Sequence, residues 1–124
     1  MLETRKIKLN TRKFGIIGEK IAQGYLRNQK YDILNTNFYT KRGEIDIIAK
    51  KDNYIVFVEV KTRSNLEYGT PAMAVNRLKR KHLKSSANIY IYQNKLYKYD
   101  VRFDVIEIII NNGKCNINHI KEIM

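Results

Sequence analysis

The chain has 124 residues, with 24 Lys and Arg against 12 Asp and Glu, for a net charge of +12 and a pI near 9.8. That length argues for one domain able to bury a core without staples, and the one cysteine, Cys115, excludes an internal disulfide and points to a reducing cytoplasm. The start, MLETRKIKLNTRK, lacks the apolar stretch of a secretory signal, no run is apolar enough to span a membrane, and the basic balance favours an acidic partner, nucleic acid first.

Residues 1 to 10 read as a mobile basic arm and residues 11 to 124 as a single domain. From Thr11, as N-cap, to about Gln29, the spacing of Phe14, Gly18, Ile21 and Tyr25 predicts a helix with one apolar stripe. Gly15, Gly18 and Gly24 weaken it by up to about 1 kcal/mol each relative to Ala, which close packing on a sheet would explain. Tyr31 to Tyr39 reads as a short strand, and Gly43 to Ala49 and Tyr54 to Thr62 as two longer ones joined by a KKDN turn. Ser64 to Gly69 is a polar loop. Thr70-Pro71 starts a second helix that runs through AMAVNRLKRKHLKSSANIYIY, with a break near Ser85. Asp100 to Ile110 is a further strand, Asn112-Gly113 a hairpin signal, and Cys115 to Ile123 a candidate returning strand. The order is α-β-β-β-α-β with room for one more strand, an α/β fold with a central mixed sheet flanked by helices.

The chemistry concentrates in GEIDIIAKKDNYIVFVEVKTR, residues 43 to 63. Strand side chains alternate faces. One face of the second long strand carries Tyr54, Val56, Val58 and Val60. The other carries Ile55, Phe57, Glu59 and Lys61, so both sides begin apolar and one turns charged at its far end. With Asp52-Asn53 as a two-residue turn, Lys51 pairs with Tyr54 and Ile48 with Phe57. Asp46 then faces Glu59 and Glu44 faces Lys61. Directly opposed carboxylates repel, so a cation must offset them or one must hold a proton. A hard divalent ion such as Mg²⁺ answers this with oxygen ligands from Asp46, Glu59 and the Val60 carbonyl. Lys61 stands beside it to hold water and stabilise a phosphate. The competing reading is a hairpin end reaching solvent with ordinary ion pairs such as Glu44 with Lys61.

Asp46 followed by Glu59-Val60-Lys61, after an N-terminal helix, resembles the PD-(D/E)xK nuclease superfamily, and the element order resembles its restriction-endonuclease-like core. More closely, GEKIAQGYL, GEIDIIA, FVEVKTR and RFDVI resemble the YraN family of small bacterial proteins, over residues 14 to 106. Ile45 stands where the superfamily's usual proline precedes the aspartate. The resemblance implies a nuclease-like domain in which Asp46 and Glu59 hold Mg²⁺ or Mn²⁺ and Lys61 is the catalytic lysine. Glu19 is the extra acid on the first helix, as in archaeal-type Holliday junction resolvases. These resolvases also imply a homodimer acting on branched DNA rather than RNA. On the helical wheel Glu19 lies at the edge of the apolar stripe, nearer Ala22 and Leu26 than its centre, from which it either reaches over the sheet end or stays solvated. Glu44 either orients Lys61, binds metal through water, or pairs.

Arg77, Lys79, Arg80, Lys81 and Lys84 wrap the second helix, as a phosphate-tracking surface or a solvated face, and Arg63 follows the Glu-x-Lys strand as a neighbour of the scissile phosphate. Tyr90, Tyr92, Tyr97 and Tyr99 read mostly as core or interface aromatics, with stacking on unpaired bases the alternative. His82 reads as a surface or packing histidine and Cys115 as structural. Arg102 and Asp104 share a strand face and either brace the sheet near the site or merely pair. The resulting expectation is a metal-dependent endonuclease. A nucleic-acid-binding module without turnover and an assembly partner of another complex are its rivals.

Overall fold

A computed structural model of the chain describes residues 2–64 and 77–124, and the side chains of residues 12–64 and 77–124. The order is α1 (Leu2–Asn28), β1 (Asp32–Thr40), β2 (Gly43–Lys51), β3 (Tyr54–Arg63), α2 (Arg77–Gln93), β4 (Asp100–Asn111) and β5 (Lys114–Ile120). The strands form one five-stranded sheet in sequence order. Only β3 and β4 are parallel, and α2 lies in the crossover that such a pair requires. This is the expected α/β architecture with the returning strand present. No helix among the described residues is long and apolar enough to cross a membrane.

The sheet separates two cores. Ala22 and Leu26 of α1 pack with Ile47, Ala49, Val56, Val58, Ile106 and Ile108. Leu83, Ala87 and Tyr90 of α2 pack with Ile48, Ile55, Phe57, Phe103 and Val105. The alternation read along Tyr54 to Thr62 thus holds: β3 is covered on both faces, as a central strand should be. Tyr90 meets Phe38 and Phe57 edge-on, whereas Tyr92 and Tyr97 are exposed and Tyr99 packs at the edge of the same core.

Several boundaries differ from expectation. α1 begins at Leu2 rather than at a Thr11 cap, because residues 2 to 10 are rich in Leu, Glu, Lys and Arg, all good helix formers. α2 runs unbroken through Ser85; the loop after Ser64 and the Thr70-Pro71 start lie outside the described residues. Both helices end in a Schellman arrangement. Lys30 takes a φ of 68° and Lys95 one of 54°, while Tyr31 N donates to Leu26 O at 2.9 Å and Leu96 N to Ile91 O at 3.0 Å. The apolar contact that accompanies the motif is present at the first end, where Tyr31 and Leu26 share a core. The Asn112-Gly113 hairpin is as expected, with φ of 52° and 75°, the two positive angles of a primed turn.

Of the helix glycines, only Gly18 marks a close approach. A Cβ there would lie 1.9 Å from Thr62 Oγ1, whereas Gly15 and Gly24 face open space. The buried line of α1 therefore runs through Gly18, Ala22 and Leu26, rotated from the expected Phe14–Ile21 line. That rotation moves Glu19 from the edge of the stripe to the flank of the helix–sheet contact.

Candidate metal centre at the parting of the central strands

The β2–β3 ladder follows the expected register from Lys51↔Tyr54 to Ile47↔Val58, and there it ends. Beyond it β2 stays with β1 as far as Thr40↔Gly43, and β3 stays with β4 as far as Arg63↔Ile109. The two central strands therefore part at Asp46 and Glu59, which are not ladder partners as expected. Asp46 Oδ2 instead accepts the Val60 N–H at 2.8 Å, so the carboxylate replaces a strand as partner of that amide.

A second irregularity sits on the other side of Asp46. The β1–β2 register passes from Thr36↔Ile47 to Phe38↔Ile45, and between them Asn37 takes a φ of 52°. Ile47 packs on the α1 side and Ile45 on the α2 side, although residues two apart on a regular strand share a face. The strand has switched faces at Asp46. Glu44, expected opposite Lys61, thereby leaves that face and makes no ion pair with it among the described residues. It joins Glu19 and Asp46 instead, with one carboxylate oxygen of each within 4.8 Å of the others. Asn37, oriented by its hydrogen-bonding neighbours, donates its amide to Glu44 Oε1 at 2.7 Å and to Glu19 Oε2 at 3.3 Å.

Glu59 stands next to this group but carries its own cations: Lys79 Nζ lies 2.5 Å from Oε1 and Lys61 Nζ 3.4 Å. Burial acts to lower the Lys79 pKa, but the hydrogen bond and charge of Glu59 outweigh it and hold the amine above its usual value. Partial burial, then the charges of Glu44 and Glu59, raise the Glu19 carboxyl. Burial and the Glu59 charge push Asp46 up to about 7, against the lowering effect of the Val60 N–H and with further help from Glu19 and Glu44. Lysines thus compensate Glu59, and Asp46 is placed to exchange a proton near neutral pH.

The donor set suits a hard cation. Carboxylate oxygens from α1 and β2 converge at a partly open position, and such ions take oxygen ligands while keeping waters. The three converging acids are Glu19, Glu44 and Asp46, so of the expected set of Asp46, Glu59, Glu19 and the Val60 carbonyl this group includes Asp46 and Glu19 and adds Glu44. Glu59 lies outside this set and is held by Lys79 and Lys61. Val60 contributes its N–H to Asp46.

The expected basic residues divide. Lys79 reaches the site. Arg77, Arg80, Lys81 and Lys84 lie exposed along α2, because helical spacing spreads them round the axis. Arg63 is turned inward, with Nε 3.0 Å from Oε2 of Glu107, a buried acid on β4. Arg102 and Asp104 do pair, at 2.9 Å, within a larger buried knot. His119 Nε2 lies 2.6 Å from Asp104, Tyr25 Oη 3.0 Å from His119 Nδ1, and Arg102 donates to Tyr31 at 2.6 Å. Burial works to raise the Asp104 carboxyl, but His119, Arg102 and the Glu122 N–H hold it below its usual value. An ionised Asp104 makes Nε2 of His119 the donor of their hydrogen bond. This knot ties α1 and β5 to β4. His119 and Asn37 escape sequence reading, since neither sits in a pattern; the Asn-rich β1 is the only hint of a left-handed residue. Cys115 is exposed and so plays no packing role in the core.

The family model described as uncharacterised protein family UPF0102 matches residues 18–108, a span that holds every acid of the site. A UPF0102 protein of Clostridium kluyveri is 49% identical over 110 residues, covering 87% of this chain and 90% of its own. One from Syntrophomonas wolfei is 43% identical over 109 residues, covering 88% and 95%. Among solved structures, the crystal structure of SSO0001 aligns with a TM-score of 0.41 at 17% identity, over 98% of this chain and 56% of that one.

Proposed function

The chain belongs to uncharacterised protein family UPF0102, and from that premise we propose that it is a metal-dependent endonuclease hydrolysing phosphodiester bonds of branched or otherwise structured DNA. The observation that carries the reading is the convergence of Glu19, Glu44 and Asp46 within 4.8 Å where β2 and β3 part. Three carboxylates drawn together at a partly open cleft repel one another, and a cation held among them relieves that repulsion. The Asp46, Glu59-Val60-Lys61 pattern gives the same site its chemistry, and the likeness to archaeal-type Holliday junction resolvases supports branched DNA and a homodimer.

Glu19, Glu44 and Asp46 would hold Mg²⁺ or Mn²⁺, with Glu59 and the Val60 carbonyl beside them. The ion supplies Lewis-acid stabilisation of the charge that grows on the phosphate. Asp46 is fixed by the Val60 N–H and would have to be ionised to serve as a ligand. Lys61, 30% exposed and held by Glu59, faces the cleft with a donor for a phosphate oxygen or an attacking water. Lys79 offsets the charge of Glu59. The exposed bases of α2 give affinity without sequence reading.

One observation favours a second reading. Lys61 and Lys79 already compensate Glu59, as a binding module without turnover would require. Incubation with duplex, forked, flapped and four-way-junction DNA separates the two. The wild-type chain is expected to cleave with Mn²⁺ and not with chelator, and Asp46→Ala and Lys61→Ala to lose about 100-fold or more. Binding across the panel without cleavage selects the second reading. Cleavage that persists in both variants overturns the site.

A further inference from the structure

A cavity of about 270 Å³ opens between the β1–β2 turn and α2. It shares Glu44 and Lys79 with the acid site, so the two are neighbours along any strand that crosses the cleft. Its wall is fixed. Arg42 N–H donates to Thr40 Oγ1 at 3.0 Å, Thr40 donates to the Gly43 carbonyl at 3.2 Å, and Ser86 Oγ lies 2.7 Å away. Since the Thr40 proton is committed to Gly43, the Ser86 hydroxyl is the donor, and the turn is pinned to α2. Buried Leu83 lines the apolar part, and Leu78 at the mouth is 62% exposed. Arg42, Lys79 and His82 supply the polar lining.

We propose that this cavity receives one unpaired nucleotide adjacent to the phosphodiester held at the acid site, so that the chain acts where duplex gives way to single strand. The proposal rests on the nuclease reading of the neighbouring site. The volume lies just under the ~300 Å³ lower end of ligand pockets, room for a base but not for a base pair. A planar base matches a slot of leucine side chains rimmed by cations, because its faces are apolar and its phosphate is anionic. The exposed Leu78 side chain gains a cover when a base lies against it. A paired base could enter only by leaving its stack, whereas an unpaired one enters without that cost. This makes substrate structure, rather than sequence, the feature selected.

The test uses duplexes that are blunt or carry a short single-stranded flap, with 2-aminopurine either at the first unpaired position or inside the duplex, bound without added metal. The wild-type chain is expected to prefer the flap by about 10-fold in fluorescence anisotropy and to change the emission of the unpaired probe alone. Leu78→Glu, at an exposed position, and His82→Ala are expected to melt as the wild type does and to bring the preference close to one. Equal affinity for both DNAs with a silent probe, or a preference that survives Leu78→Glu, overturns the inference. Cleavage by the wild-type chain without any flap preference removes the pocket and leaves the nuclease. A flap preference and probe signal without any cleavage keep the pocket and remove the nuclease.

Discussion

Asp46 is the residue on which the account turns. Its carboxyl is raised from a usual value of 3.8 to about 7, first by burial and then by Glu59. Between those values the folded chain holds a proton that the unfolded chain has released, so stability falls as pH rises through that window. Glu19 is raised as well and acts in the same direction. Asp46→Asn keeps an amide oxygen for the Val60 N–H and removes the charge. It is expected to be more stable than the wild type near pH 7.5 by about 1–3 kcal/mol and to flatten the pH dependence, as thermal melts from pH 4 to 8 will show. A site residue whose neutral isostere stabilises the fold is held there for a purpose other than stability.

At the scale of elements, the site depends on how closely α1 rides on β3. Gly18→Ala places a methyl group into Thr62, and the helix must lift or the strand shift. The expected cost is about 1–3 kcal/mol. Because Glu19 is the next residue, affinity for a divalent ion should fall together with the denaturation midpoint, which distinguishes Gly18 from a glycine that merely tolerates its position. Much of this architecture was legible in the sequence. The 43–63 segment revealed its register as far as Ile47↔Val58 because strict alternation leaves only one pairing that keeps apolar with apolar. The pairing beyond it was not legible. Alternation presumes a regular strand, and β2 changes faces at Asp46, across from the left-handed Asn37 of β1, which no period-two pattern announces. The helix ends were hidden for a related reason: Lys30 and Lys95 occupy the left-handed position where glycine is the usual signal. Glu19 was found through resemblance and the edge of a stripe. Its true place follows from the close approach at Gly18, a tertiary contact. Lys79 was one of five bases on a helix, and only the fold could say which one reaches Glu59.

At the scale of the whole molecule, the charge is more uneven than +12 implies. Six of the 12 acids, Glu19, Glu44, Asp46, Glu59, Asp104 and Glu107, line the cleft or are buried, so the remaining surface is more basic than the total. Affinity for DNA should therefore fall by about 10- to 100-fold between 50 and 200 mM salt, as expected for a few neutralised phosphates. A salt-insensitive complex would place binding somewhere other than this surface. The central claim, that the acids at the parting of β2 and β3 form a metal site, is tested most directly by calorimetric titration of Mn²⁺ near pH 7 in buffers of different ionisation heat. The account predicts one site in the wild-type chain, release of a fraction of a proton as Asp46 ionises, and loss of both in Asp46→Asn. Equal Mn²⁺ binding by Asp46→Asn, or none by the wild-type chain, would contradict it.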